Sequence, residues 1–513
     1  MKSKSFARGF VVAVGWLALA CADADKGLVK DFLFGTAIAG FQVEMGCPTL
    51  SAAACDDPNS DLFAFYTSPT VKKEMNDRIS GQNPSEVGPG FWELYEDDLD
   101  RVQNELSNNA LRTSLEWSRI FPTSTEGVEG YDALKAISSS AAVAKYHAMF
   151  QAMRARGIEP VITINHYSLP GWIHDSLTCY KDFAHCQRRG WVDSERTIAE
   201  MAKFAGFAAR EFGGEVDWWL TLNEPMAVMF SGYINPDANR TQPPAAFLRG
   251  DLAQTVYNAE IVAHARIYDA IKENDLVDAD QQGGPAAVGL AYNIVPTKPA
   301  TAGNALDELG AENLFYVWNQ AFLDAICLGR FDPELDGSSV PRPDLADRVD
   351  FVGLNYYTLW SVEGIVTQFL PAFSPLTNFS PMGVDTTLIY PKGIYDMIQY
   401  VARRYDLPVM VTENGHSDEN DPLATEKYLV DHLRWVIRAQ EDGARVLGYF
   451  YWTLMDNFEW NHGMNMRFGM YAVDPADPQK RRVARSIAAI YQRIAAQKAI
   501  PVDLDAAYPE SDP

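Results

Sequence analysis

Two stretches decide how this chain folds: DWWLTLNEP (217–225) and PVMVTENG (408–415). In each, an apolar, β-rich run ends in a glutamate followed directly by turn-forming residues, so Glu224 and Glu413 should project from the ends of buried strands. Working outward, eight such segments recur: 32–40, 110–117, 159–166, 217–224, 287–295, 350–357, 408–415 and 445–454. The intervals between them are long enough to carry helices, as in ERTIAEMAKFAGFAAREFG (195–213) and TEKYLVDHLRWVIRAQEDG (425–443), each of which ends at glycine, a common helix stop. Alternating strand and helix predicts parallel strands, and eight of them predict a single closed (β/α)8 barrel over residues 30–500. The near-continuous apolar runs VITI, FVGLN and PVMVT fit strands buried on both faces. At 513 residues a length prior alone would allow about three domains. No Pro-, Gly- or Ser-rich linker and no solenoid repeat divides the chain, so one barrel with long loops is expected, with 501–513 as a C-terminal tail.

In such barrels catalytic groups cluster at the C-terminal ends of strands, and Glu224 and Glu413 would close strands four and seven. Paired carboxylates on a rigid frame suit cleavage of glycosidic bonds. One protonates the leaving oxygen and the other stabilises or attacks the oxocarbenium-like carbon.

The two strings, in this order, resemble the acid/base and nucleophile motifs of the family 1 glycoside hydrolases, the β-glucosidase and β-galactosidase family. The resemblance runs from about Phe32, in FLFGTAIAGFQVE, to about Ala489. It implies that Glu413 is the nucleophile and Glu224 the acid/base of a retaining mechanism, with the carboxyls about 5 to 5.5 Å apart. The Glu413 charge is then expected to raise the Glu224 pKa until glycosylation removes it. It further implies that Asn223 binds the sugar 2-hydroxyl, that Arg112 in RTSLEWSR holds Glu413 ionised, that Tyr357 donates to the nucleophile, and that Asn355 lines the same strand end. Gln42, His166, Trp452, Glu459, Trp460 and Phe468 match positions that grip the non-reducing sugar, through amide, imidazole and carboxylate hydrogen bonds and indole stacking.

Relatives that act on 6-phosphorylated sugars are similar here but carry Ser in place of Glu459 and a nearby Lys, where this chain has Met466. A carboxylate repels phosphate, so unphosphorylated β-glycosides, as small molecules or oligosaccharides, are the expected substrates. Two segments depart from the commoner motifs: NHYSLP (165–170) at strand three, and Glu116 within RTSLEWSR. Both leave His166 and Arg112 in place, so they are expected to bear on substrate preference more than on mechanism. The segment 361–393, with Pro371, Pro375 and Pro381, is expected to be a long loop that shapes the leaving-group site. The rival readings are a transglycosylating β-glucosidase, which shares the covalent intermediate, and a catalytically silent glycan-binding barrel.

The N-terminus predicts a secretory leader of residues 1–20, or 1–22: Lys2, Lys4 and Arg8 precede the apolar FVVAVGWLALA (10–20). A lipid on Cys21 is the alternative, although Ala18 stands where a lipobox prefers Leu. The apolar run is short of the ~20 residues a membrane span needs. The net charge is −25; loss of three basic residues with the leader leaves 40 basic against 68 acidic, a net −28. So acidic a surface repels nucleic acid and anionic membranes and fits an exported protein, secreted or periplasmic. Cys47 with Cys55, and Cys179 with Cys186, could each close a short loop as a disulfide in an oxidising compartment. Neither pair has the two-residue spacing or histidine companions of a zinc site, and no metal or cofactor is expected. Cys327, within AFLDAICLG, is expected to be a buried thiol.

Overall fold

The computed structural model describes residue 28 and residues 31–281, 284, 286–370, 374–417 and 421–510. The expected leader and Cys21 lie outside the described residues, as does Pro371.

Eight strands form the barrel: β1 (Leu33–Ala37), β2 (Ala110–Ser114), β3 (Glu159–Asn165), β4 (Trp218–Asn223), β5 (Ala287–Asn293), β6 (Phe351–Asn355), β7 (Val409–Asn414) and β8 (Val446–Trp452). All neighbours are parallel, and β1 closes the ring by pairing with both β2 and β8, Gly35 against Ala110 and Ala37 against Trp452. The inside of the ring is filled by side chains such as Val161, Leu220, Phe351, Met410 and Phe450, all buried. Two glycines make room for the large rings. A Cβ on Gly35 would lie 2.4 Å from the Phe450 ring, and one on Gly289 would lie 2.7 Å from Phe351.

The two helices anticipated from periodicity span Ser194–Phe212 and Pro422–Glu441. Their glycine stops differ in cause. Gly443, just past the second helix, has φ +93°, the left-handed turn that glycine supplies at helix ends. Gly213 keeps a right-handed φ of −60°, so chain reversal is not its role. A Cβ there would meet the Asp275 carboxylate at 2.4 Å, and close approach explains the residue.

The expected loop 361–393 is a correction. Leu359–Gly364 and Phe379–Leu388 pair as an antiparallel hairpin, and Thr297–Pro299 joins it to make a three-stranded sheet above the barrel rim. Pro381 falls in the outer strand, where a missing N–H costs no ladder bond. Cys47–Cys55 and Cys179–Cys186 are disulfides. Cys327 is a buried free thiol in the helix Ala321–Leu328, its pKa pushed up by burial. The final segment carries a short helix, Val502–Ala507, docked through buried Leu504 and through Arg434, which contacts Asp505 at 2.9 Å. Among the described residues no helix is long and apolar enough to cross a membrane.

Candidate active site

An arginine inside a strand buried on both faces is tolerable only if its charge and N–H groups are used. Arg112, fully buried in β2, uses its charge and makes four hydrogen bonds with its five side-chain N–H groups. Nη1 donates to Glu413 Oε1 at 2.5 Å and to the Thr412 carbonyl at 3.2 Å, Nη2 to Asn223 Oδ1 at 2.7 Å, and Nε to Thr163 Oγ1 at 3.2 Å. The second oxygen of Glu413 accepts from the Tyr357 hydroxyl at 2.6 Å. The register between β6 and β7 sets Glu413 beside Asn355. Asn355 Nδ2 donates to Asn223 Oδ1 at 3.2 Å and to Glu224 Oε1 at 2.8 Å, while its own Oδ1 accepts from Thr412. One continuous network therefore links the two glutamates.

Glu224 stands at the step from β4 into the short helix Pro225–Met229, with φ 41° and ψ 61°. This is the left-handed region, uncommon for a side chain other than Gly, Asn or Asp and typical of residues that a surrounding structure holds in place for function. Tyr167, also left-handed at φ 74°, donates its hydroxyl to Glu224 Oε2 at 2.6 Å. Among the described residues no cation lies within ion-pair distance of Glu224, whereas Glu413 has Arg112.

Burial raises the Glu413 pKa, the Arg112 guanidinium opposes the rise, and the Glu224 charge adds to it, the balance standing at about 7. Burial, then the nearby guanidinium charges of Arg112 and Arg240, push the His166 pKa well down, so its imidazole is neutral. Burial and the adjacent carboxylates keep the Tyr357 and Tyr167 phenols protonated, as donors.

The glutamates face a cavity of about 360 Å³ whose wall also includes His166, Asn223, Tyr357, Trp452, Glu459, Trp460 and Phe468. Gln42, Arg112 and Asn355 stand behind this wall. Gln42 donates to Glu459 Oε2 at 2.9 Å, and its own Oε1 is buried without a partner. His166 Nδ1 is likewise buried without a partner, and its ring stacks on Trp460 with centroids 5.7 Å apart. Orphaned polar atoms beside an indole face are what a polyhydroxylated ring with one apolar face would satisfy.

Sequence reasoning did not single out Arg240 or Tyr167, both of which line this cavity. Arg240, in the long segment after β4, places Nη1 3.3 Å from Glu459 Oε1, so Glu459 is not an isolated negative charge. No motif surrounds it, and a lone arginine in a loop carries no signal. Tyr167 was in plain view within NHYSLP, yet its hydroxyl contacts Glu224, which ties that departure to one of the paired glutamates. The two departures also touch. Ser168 donates to Glu116 Oε2 at 2.5 Å, and Glu116 Oε1 accepts the Phe41 backbone N–H at 2.9 Å, so Glu116 fastens the turn carrying Gln42 to the one carrying His166.

A closed eight-stranded barrel with two networked glutamates at the ends of β4 and β7 defines a barrel glycosidase. The model of glycosyl hydrolase family 1 matches residues 24–500, and the chain belongs to that family. It is 33% identical to a β-galactosidase of Pyrococcus woesei, with 92% of this chain and 97% of the relative aligned. It is 28% identical to β-glucosidase 16 of Arabidopsis thaliana, over 89% of each chain. Among solved structures, the β-glycosidase of Thermosphaera aggregans superposes with a TM-score of 0.78 at 28% identity, covering 94% of this chain and all of the other.

Proposed function

We propose that this β-glycosidase of family 1 is a retaining exo-enzyme that removes terminal β-D-glucosyl residues, with activity on β-galactosyl and β-fucosyl residues as well. The observation that carries the reading is the pairing of Glu413, but not Glu224, with a buried arginine. Glu413 is then the carboxylate that attacks the anomeric carbon, while Glu224 gives its proton to the departing oxygen as the glycosidic C–O bond breaks. In the second half, Glu224 takes a proton from water, the water oxygen attacks the anomeric carbon, and the ester to Glu413 breaks to release the sugar with its configuration kept. Asn223 and Tyr357 supply hydrogen bonds to the 2-hydroxyl and the nucleophile as charge develops. Both glucoside and galactoside names among the relatives support the broad sugar preference. Export to an oxidising compartment belongs to the same proposal, supported by the two disulfides.

Nitrophenol release from matched aryl β-glucoside, β-galactoside, β-fucoside and 6-phospho-β-glucoside tests the reading. Turnover of the first three and none of the fourth is expected. Turnover of the phosphorylated sugar alone would overturn it.

A further inference from the structure

The cavity that holds Glu224 and Glu413 contains a further charged pair, Arg240 with Glu459. Its two members differ in how fully they are used. Glu459 is buried, and its Oε2 already accepts from Gln42 at 2.9 Å. Arg240 Nη1 stands 3.3 Å from the other oxygen, Oε1, but without the alignment a hydrogen bond needs, and Nη1 is buried with no hydrogen-bond partner. Among the described residues this is the only ion pair the guanidinium makes. Burial opposes the charge on Arg240, but the groups around it, Glu459 foremost, hold its pKa above the usual arginine value.

Many contacts fix the loop that carries this cation. Asp237 Oδ1 accepts the backbone N–H of Asn239 at 2.9 Å and that of Arg240 itself at 3.1 Å, and the Asp237 N–H donates to the Arg240 carbonyl at 3.1 Å. From the helix Asp61–Thr67 the Tyr66 hydroxyl donates to the Thr241 carbonyl at 2.9 Å, and Arg78 donates to the Pro236 carbonyl at 2.9 Å. Two more ties come from the turn that follows Glu459. Asn461 donates to the Ala238 carbonyl at 2.9 Å, and His462 Nε2 to the Asn239 carbonyl at 2.8 Å. The segment bearing the cation and the segment bearing the carboxylate are therefore fastened to each other, which sets their separation. An arginine that only balances charge at a surface needs no such frame.

A sugar hydroxyl has one proton to give and lone pairs to offer. An ionised carboxylate only accepts, so Glu459 alone would take the proton and leave those lone pairs unsatisfied in a closed site. A guanidinium only donates and supplies the missing half. Where such a pair reads a hydroxyl together, a sugar lacking it leaves two charged groups without partners, a costly mismatch.

We infer that Arg240 is a specificity-determining residue of the sugar pocket: it donates to the same hydroxyl, or adjacent pair of hydroxyls, whose protons Glu459 accepts. The inference rests on this cavity being the sugar site of the proposed β-glycosidase.

The test is kcat/KM of the unaltered protein, Arg240→Met and Arg240→Lys on nitrophenyl β-glucoside and its 3-, 4- and 6-deoxy analogues. Arg240→Met should lower the value for the parent glucoside about ten- to hundredfold, the worth of a hydrogen bond to a charged group. The analogue lacking the hydroxyl that Arg240 reads should lose less than about threefold on the same substitution, while the others fall as far as the parent. Arg240→Lys keeps the charge without the fork and should give the same pattern with a smaller loss; it decides alone if Arg240→Met fails to fold. In a Glu459→Gln background, Arg240→Met should still cost the parent glucoside at least about fivefold, because the guanidinium donates to the sugar directly. No further loss there would show that Arg240 acts only through Glu459 and would overturn the inference. So would equal losses on all four substrates, or no loss on any, while turnover by the unaltered protein leaves the glycosidase reading standing. No turnover of the parent glucoside by the unaltered protein overturns both.

Discussion

Arg112 Nη2 donates to Asn223 Oδ1 at 2.7 Å, and this contact fixes which end of the Asn223 amide faces the cavity. With Asn355 also donating to that oxygen, the amide N–H2 is left as the group presented to a ligand. The same guanidinium opposes the rise of the Glu413 pKa, so it bears on both the hydrogen-bond polarity of the pocket and the charge of Glu413. Arg112→Lys keeps the charge but loses the fork that reaches both partners. We expect kcat/KM on an aryl β-glucoside to fall about a hundredfold. Since a force that lowers the Glu413 pKa is weakened, the acid-side inflection of the pH profile should move upward from about 7.

Substituting Glu224 acts in the opposite direction on that inflection. The Glu224 charge helps to raise the Glu413 pKa, so in Glu224→Gln the inflection should move to lower pH. A methyl glucoside, which needs protonation of its leaving group, should lose about a thousandfold in rate. Glu224→Ala should be partly rescued by azide on an activated aryl glucoside, giving a β-glycosyl azide. Glu413→Gln should be inert with or without azide, and rescue of that variant would reverse the two roles.

Tyr167→Phe removes one of the two hydrogen bonds to Glu224 and nothing else of the glutamate's surroundings. The loss of a hydrogen bond to an ionisable partner predicts about a tenfold fall in kcat/KM for glycosides with poor leaving groups. The fall should be smaller for dinitrophenyl glycosides, which leave without a proton. An equal loss across the whole leaving-group series would show that the phenol orders the pocket but does not act on the acid.

Glu116 predicts a pH-dependent stability. Burial raises its pKa to about 8, against 4.5 in an unfolded chain. The folded state therefore binds the proton more tightly, and its contribution is present in full below about pH 4.5 and is lost as pH rises through 8. Glu116→Gln stays neutral throughout. Thermal unfolding at a series of pH values should show the parent losing more stability between pH 5 and 8 than the variant, and parallel curves would contradict the assignment.

The barrel was legible because parallel strands buried on both faces leave unbroken runs such as PVMVT, and because the glutamates follow those runs directly. The hairpin within 361–393 was not, since four prolines in 33 residues argue for a loop unless one knows that Pro381 sits on an edge. Arg240 shows a different limit. Its partner Glu459 is 219 positions away, and only the folded chain brings the two loops together. Tyr167 shows a third: aromatic residues are common in buried segments, and nothing in NHYSLP tells a packing phenol from one whose hydroxyl finds a carboxylate.

One end of the active-site cavity is floored by His166 and Glu459, neither more than 3% exposed, with Gln42 behind them, and the neighbouring loops are latched where the Asn461 amide donates to the Ala238 carbonyl at 2.9 Å. Such a pocket is a cul-de-sac. Whatever enters last must depart first, so on the proposed pathway the aglycone leaves while the sugar is still attached to Glu413, and free sugar follows through the space just vacated. Steady-state inhibition should carry the imprint of that queue: glucose competing directly with substrate, and the released alcohol capturing the glycosyl-enzyme in place of water.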